Sequence, residues 1–417
     1  MNSTKHRTVT LIGIILILLS AITISMVLHI QKKKSDERLY GTTRCARVSR
    51  NCKKVLTRRM LDHSLARGTQ FLLNNQKPEG NFNYEYNFIL RKMKNDDNQV
   101  RQAGALWGLA LIYNDTPQQK LATAFKKGFA FFKKHSRKGI DKRRWVVYPG
   151  DRAGHTGTIA LLSLAIIDFL RSSPAVGKKM YEELQNDLAE YIAFLLSLRR
   201  SDGLFHRFYS FDGSGFGKTS SYYNGETLLT LIKAARYLDR KDLIPIALES
   251  AAAMHREHVE EALRADPDSR HTKGYFQWGI MSYFELATSG WEGTEPYADR
   301  AIALADWMIE VHCTLQRTRN TAYAHEGIIL AGELARRKGN RDMAAKFSCA
   351  VDSGLLRMTS WQVGGPIPNA FLRRNETSDP LAVGGVLNHR REPFLRIDVT
   401  QHQMHAVILA RRYLYNL

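Results

Sequence analysis

The chain has 417 residues, 44% of them hydrophobic and 24% charged, which is enough for a sizeable core in one large domain or two ordinary ones. Its net charge of +21 divides evenly: residues 1–60 hold 13 Lys and Arg against 2 Asp and Glu, and the remainder holds 48 against 38. The excess on the body is too diffuse to point to nucleic acid, and it permits an acidic ligand.

Val9 to Ile30 carries no charge apart from His29 near its end. Its roughly 22 residues would span about 33 Å as a helix, enough to cross a bilayer. A cleaved leader has a shorter apolar run and a small-residue cleavage site, so a retained transmembrane anchor is expected over 9–30, after a short tail at 1–8. Residues 31–56 are polar and basic, a juxtamembrane linker suited to anionic lipid head groups. The flanking Lys32, Lys33, Lys34 and Arg38 argue for a cytoplasmic body. Against them, Cys45 and Cys52 lie close together where a thiol has no core to join, and a disulfide there suits an oxidising compartment. The expectation is a single-pass membrane protein with a periplasm-like, extracytoplasmic body. Cys313 and Cys349 fall on apolar helices and read as core.

From residue 57 onward the helical period dominates. Helices are expected at 57–76, 97–114, 117–136, 154–172, 178–199, 222–239, 241–260, 274–288, 295–313, 320–338, 340–357 and 399–416. Connections alternate between short turns and long segments (77–96, 137–153, 200–221, 261–273 and 358–398), with 314–319 the brief exception. Six hairpins with their long connections on one side predict a closed double ring over 57–417. Loops on such a scaffold are where sites are built. Each even-numbered helix opens with polar residues beside a glycine and then runs apolar. Examples are Arg101-Gln102-Ala103-Gly104, His155-Thr156-Gly157, Asn224-Gly225-Glu226, Gln277-Trp278-Gly279 and His325-Glu326-Gly327. Glycine in a helix costs about 1 kcal/mol against alanine, so the repetition predicts a crowded inner ring. The odd helices carry more charge and read as the outer ring.

Hairpins with a Tyr-x-Gly-Glu-x-Leu-like start at Tyr223 to Leu228, closed by an Arg396-x-Asp398-x-x-x-His402 segment, resemble the six-hairpin (α/α)6 toroid enzymes. That superfamily holds glycoside hydrolases, unsaturated-uronide hydrolases, sugar 2-epimerases, glucuronyl C5-epimerases and toroidal polysaccharide lyases. The resemblance implies an all-α toroid over 57–417 acting in carbohydrate metabolism, which the transmembrane helix expected from 9–30 would place in the cell envelope. Fold does not fix the reaction.

Glu226, Glu326, Asp398 and Asp151 stand where even helices begin, and glycosidic hydrolysis needs two carboxylates across the sugar. An acid in a first helical turn also simply complements the dipole, by about 0.3–1 kcal/mol. His155, His325 and His402 share one level of the ring; a pair of proton-transfer groups facing a sugar from two sides suits epimerisation, and a base with Tyr222 or Tyr223 suits elimination. The bland reading of each histidine is a hydrogen bond inside a crowded ring. Arg101, Arg152 and Arg396 flank the expected mouth and can grip carboxylates. Trp278 is a candidate sugar-stacking residue, as are Phe82, Tyr84, Tyr86, Trp145, Tyr148, Phe205, Phe208, Tyr209, Phe211 and Trp361 in the long connections, which can equally serve to pack lids down. Asp212-Gly-Ser-Gly-Phe-Gly217-Lys218-Thr219 resembles a phosphate loop but has Asp212 in place of the first glycine; it reads as a glycine-rich flap. No metal or cofactor motif is present.

The expected function is action on an acidic polysaccharide. Hydrolysis leads, with Glu226 and either Asp398 or Glu326 as the catalytic pair. Epimerisation or elimination through His155, His402 and Tyr223 is the enzymatic alternative. Expected substrate contacts are Arg101, Trp278, Tyr222, Asp151, Arg152 and Arg396. A second class is a non-catalytic toroid that binds or guides an anionic polymer, a glycan or polyglutamate, within an envelope biosynthesis or export complex.

Overall fold

The computed structural model of the chain describes residues 45, 47–172 and 177–416. The anchor expected over 9–30 and most of the linker lie outside the described residues. No helix among the described residues is long and apolar enough to cross a membrane.

Twelve long helices stand among these residues: α1 (Arg58–Asn74), α2 (Gln99–Asp115), α3 (Gln119–Lys134), α4 (Thr156–Arg171), α5 (Lys178–Ser197), α6 (Ser221–Tyr237), α7 (Ile244–His255), α8 (Arg270–Ala287), α9 (Pro296–Glu310), α10 (Ala322–Arg337), α11 (Arg341–Thr359) and α12 (Ile397–Tyr413). They correspond one to one with the expected set. Side-chain caps fix several starts. Asn98 Oδ1 accepts from the Arg101 backbone N–H at 3.1 Å, and Ser269 Oγ accepts from His271 and Thr272. The Ser269 cap begins α8 four residues before the expected position.

The even helices close on themselves. In order, α2 packs on α4, α4 on α6, α6 on α8, α8 on α10, α10 on α12, and α12 back on α2. Helices α3, α5, α7, α9 and α11 lie outside this ring, and α1 covers α12. The burial pattern explains the division. In α4 every residue from Thr156 to Leu170 is buried, as an all-round apolar helix requires. In α3 the buried residues recur at helical spacing (Leu121, Ala124 and Phe125, Gly128 and Phe129, Phe132) and Lys126, Lys127 and Lys133 fall outside the buried face. Glycines let the inner helices approach. A Cβ on Gly225 would stand 2.4 Å from Trp278 Cβ, and one on Gly157 would stand 2.4 Å from Glu226 Oε2.

The long connections are not bare loops. They hold eight short strands that sequence periodicity does not reveal. Strand β1 (Glu85–Asn87) pairs with β2 (Lys92–Met93) and with β8 (Phe394–Arg396), so Glu85 lies opposite Arg396. Strands β3 (Ser136–Lys138) and β4 (Arg144–Val146) form a hairpin. Strand β5 (Gly154–His155) pairs with β6 (Phe208–Tyr209), and β6 with β7 (Gly215–Phe216). The glycine-rich segment is therefore the turn of the β6–β7 hairpin, in which Asp212 Oδ1 accepts from the Ser214 N–H at 2.9 Å.

Cysteine pairing departs from expectation. Cys52 is bonded to Cys349 on α11, 297 residues away, and not to Cys45; Cys349 is thus no core thiol. Cys313 sits in a left-handed turn after α9 (φ 52°) and not on a helix. Beside the disulfide, the N–H groups of Val55 and Leu56 donate to Asp352 at 3.0–3.2 Å, and Leu56 is buried. The last residues of the expected linker are therefore docked on the ring.

At the end of the ring away from the long connections, Asp168 is fully buried. It accepts from Lys233 Nζ at 2.5 and 2.6 Å, Arg171 Nη1 at 2.9 Å and Trp107 Nε1 at 2.8 Å, joining α2, α4 and α6. Burial works to raise its pKa, but Lys233 and Arg171 outweigh that and hold it below the usual carboxylate range. Removing one member of a buried pair costs about 3–5 kcal/mol. Lys233→Met should lose stability of that order in urea unfolding, and Lys233→Met with Asp168→Asn should recover part of it.

Candidate active site

The six inner helices begin around a cavity of ≈ 490 Å³ on the side of the long connections, within the range of about 300–1,000 Å³ that holds a compact ligand. Around the ring, α2 supplies Arg101, α6 Tyr222, Tyr223 and Glu226, and α8 Lys273, Gln277 and Trp278. Tyr323 comes from α10, Asp398, Gln401 and His402 from α12. Arg207 and Arg396 reach in from the connections. In the closed order, α6 stands opposite α12 and α2 opposite α8.

On α12, Asp398 is held by two guanidinium groups. Arg396 Nε donates to Oδ1 at 2.9 Å while Arg396 Nη2 bonds Oδ2, and Arg101 Nε lies 3.2 Å from Oδ2. Burial pushes its pKa up, but Arg396 and Arg101 overrule it and keep Asp398 ionised below the usual range. One turn on, His402 faces the cavity with its Nδ1 2.9 Å from Oε1 of Glu326. Glu326 is wholly buried behind it and also accepts from Gln277 Nε2 at 2.5 Å. His405 Nδ1 lies 3.2 Å from Oε2, without hydrogen-bond geometry. Against the upward pull of burial, His402 and His405 hold Glu326 below the normal carboxylate range. A carboxylate so placed fixes the tautomer and orientation of the imidazole it holds.

Across the ring, the Tyr223 hydroxyl lies 2.9 Å from His155 Nδ1. Burial lowers the His155 pKa and raises that of Tyr223, so both are neutral near pH 7 and share one proton between them. Next to them, Glu226 is buried without any acid or base to pair with, and burial alone lifts its pKa well above the ordinary 4.5. Its Oε2, which faces Gly157, and the Nε2 of Gln401 are buried atoms with no hydrogen-bond partner among the described residues, on two residues that line the cavity. Burial thus favours the neutral carboxyl of Glu226, a residue of the cavity wall.

The structure brings Glu226, Asp398, His402, Tyr222, Tyr223, Arg101, Trp278 and Arg396 to one cavity. It sets His155 one layer behind Tyr223, and Glu326 one layer behind His402. Asp151 and Arg152 do not reach the cavity: both are exposed, with Asp151 accepting from Gln99 Nε2 at 2.5 Å. His325 is buried away from the ring axis against Gly354 of α11, its pKa lowered to about 3 by burial. The aromatics of the long connections line none of the cavity and are mostly buried as lid packing; its rings come from the inner helices instead. Lys273, Arg207, Gln277, Tyr323 and Gln401 are cavity residues that the sequence reading did not single out. For Lys273 the signal was the Ser269 cap, which puts it one turn before Gln277 on the same helix face.

Two outcomes follow for α6. The unfolded chain ionises Glu226 above about pH 4.5 and the native state does not, so this residue withdraws stability as pH rises toward its native pKa. Glu226→Gln removes the effect, and its Tm should overtake that of the wild type progressively from mildly acidic to alkaline pH. Gly157→Ala would drive a methyl into Glu226 and Tyr223; it should disturb ligand binding more than any exposed Gly→Ala change, as read by Trp278 fluorescence.

No protein-family model and no curated protein matches the chain. Solved structures do. The GH76 α-mannanase of Bacteroides thetaiotaomicron aligns with a TM-score of 0.57 at 10% identity, over 85% of this chain and 95% of its own. Cellobiose 2-epimerase from Spirochaeta thermophila aligns at 0.54 and 13%, over 84% and 96%. An unsaturated glucuronyl hydrolase specific for heparin aligns at 0.54 and 12%, over 85% and 97%. Identities this low establish architecture alone: the chain has the fold of the (α/α)6 toroid carbohydrate enzymes.

Proposed function

We propose that this chain is an enzyme acting on an acidic polysaccharide, and that it inverts the C5 carbon of a uronate residue by proton transfer. The observation that carries this reading is the pair of proton-transfer dyads on opposite helices. His402 backed by Glu326 stands on α12, and Tyr223 backed by His155 stands on α6. Inversion at a carbon requires a base on one face and an acid on the other.

In this mechanism His402 takes the C5 proton. The electron pair moves into the adjacent carboxylate, whose charge is met by Arg101, Arg207 and the neutral carboxyl of Glu226. Tyr223 delivers its proton to the opposite face of C5, the phenolate so formed takes back a proton from solvent relayed through the neutral His155, and His402 gives up the C5 proton to solvent. Glu326 keeps the His402 ring aimed throughout.

Glu226 alone favours hydrolysis as the second reading, since a neutral buried carboxyl is what a glycosidic acid needs. Its expected partners suit it poorly. Asp398 is clamped by two arginines, and Glu326 is walled off by His402 and Gln277. Anchoring through residues 9–30 and an extracytoplasmic body complete the proposal; the Cys52–Cys349 bond supports an oxidising compartment.

The test is to incubate uronate-bearing polymers with the protein in D2O. Epimerisation exchanges the C5 hydrogen without new chain ends, hydrolysis liberates reducing ends, and elimination yields an ultraviolet-absorbing unsaturated uronate. His402→Ala is expected to slow exchange by about 10²–10⁴-fold. Reducing-end release that depends on Glu226, with no C5 exchange, would replace this reading with hydrolysis. Binding with no product of any kind would leave a carrier.

A further inference from the structure

Four cations line the cavity, and they are not equivalent. Arg101 and Arg396 both direct charge onto Asp398. Arg207 is exposed at the rim, over the ring of Phe208 at 4.8 Å. Lys273 differs from all of these. Its ammonium sits over the rings of Tyr323 at 4.6 Å and Tyr222 at 5.3 Å, and donates to the Tyr222 hydroxyl at 2.8 Å. The groups acting on its charge are those two tyrosines, and no carboxylate among the described residues is within ion-pair distance.

This half-buried cation has its charge met only by two aromatic rings and one hydroxyl, with no carboxylate partner among the described residues. The two rings restrict the ammonium in position, and Tyr222, having accepted from Lys273, keeps its own proton free to donate. Asn388 lines the same cavity. Lys273 stands on α8, opposite Arg101 on α2, while the acid–base axis runs from α6 to α12. A uronate held between the dyads with its carboxylate toward Arg101 leaves Lys273 on the other flank of the cavity, free for a second acidic group.

We propose that Lys273, clamped between Tyr222 and Tyr323, forms a second anion subsite that takes the acidic group of the sugar adjoining the reacting uronate. The inference rests on the reading of the cavity as a uronate site. A lysine is a point charge, and carboxylate or sulfate satisfies it equally. The substrate is then a polymer with charge on both of two neighbouring residues.

The experiment titrates the full-length protein in detergent with three disaccharides by calorimetry: uronate with a neutral sugar, uronate with uronate, and uronate with a sulfated hexose. The dianions should bind about ten- to a hundred-fold more tightly than the monoanion, the worth of a hydrogen bond to a charged group. A gain confined to one dianion assigns the source as carboxylate or as sulfate. Lys273→Met should collapse the preference to about one, Lys273→Arg should retain it, and Tyr222→Phe should lose part of it. Equal binding of mono- and dianions by the wild type, or an equal loss for all three ligands in Lys273→Met, would overturn the subsite. The two readings fail separately: C5 exchange without a dianion preference removes the subsite alone, and a dianion preference without exchange removes the epimerase alone.

Discussion

The cavity depends on a carboxylate that never reaches it. Glu326 is completely buried on α10, and an ion taken out of water costs several kcal/mol unless its neighbours compensate. Here His402, Gln277 and His405 do so, and they come from α8 and α12. Three inner helices are thereby locked at one depth, and His402 is delivered to the cavity wall in a fixed orientation. The same rule sorts the other two carboxylates. Asp398 is ionised because two guanidinium groups accompany it; Glu226 is protonated because nothing does. Three acids at equivalent helix starts thus hold three different roles, set by what stands within a few ångströms of each.

Closure of the ring makes this arrangement durable. Glu226 fits only because Gly157 faces it, and Trp278 fits only because Gly225 does. At the far end, the Asp168 cluster holds α2, α4 and α6 together, complementing the Glu326 cluster on α8, α10 and α12. Between them the two buried acids engage all six inner helices. Neither acid contacts solvent, so both constrain the frame while leaving the cavity wall free for chemistry.

Much of this was legible in the sequence because it is local. The twelve helices, their division into inner and outer rings and the polar starts beside glycine all follow from a 3.6-residue period and a few breakers. What was not legible depends on distance or on angle. Cys52 finds Cys349 across 297 residues, a pairing that no spacing rule reaches. The strands are two or three residues long and owe their existence to neighbours in other connections, as Glu85 does to Arg396. His325 and Glu326 are consecutive, yet one helical step of about 100° turns the first toward α11 and the second toward the axis. Lys273 was lost to a boundary error of four residues, one turn of helix, which placed it in a loop when it lies directly above Gln277.

The preference proposed above for proton transfer over hydrolysis, the first expectation from paired acids, rests on how each acid is held. Counting carboxylates at helix starts treats each as an available base. Availability is an electrostatic property, and the two arginines that make Asp398 anionic are the same groups that make it a weak proton acceptor. His402 has no such clamp: its one carboxylate partner lies behind it, on the side away from the cavity. The group best placed to accept a proton is therefore an imidazole on α12, and the groups best placed to donate one are the phenol and the neutral carboxyl on α6. An acid–base axis across the ring, with cations on the two remaining flanks, is the arrangement that the proposed inversion of a carboxylate-bearing carbon requires.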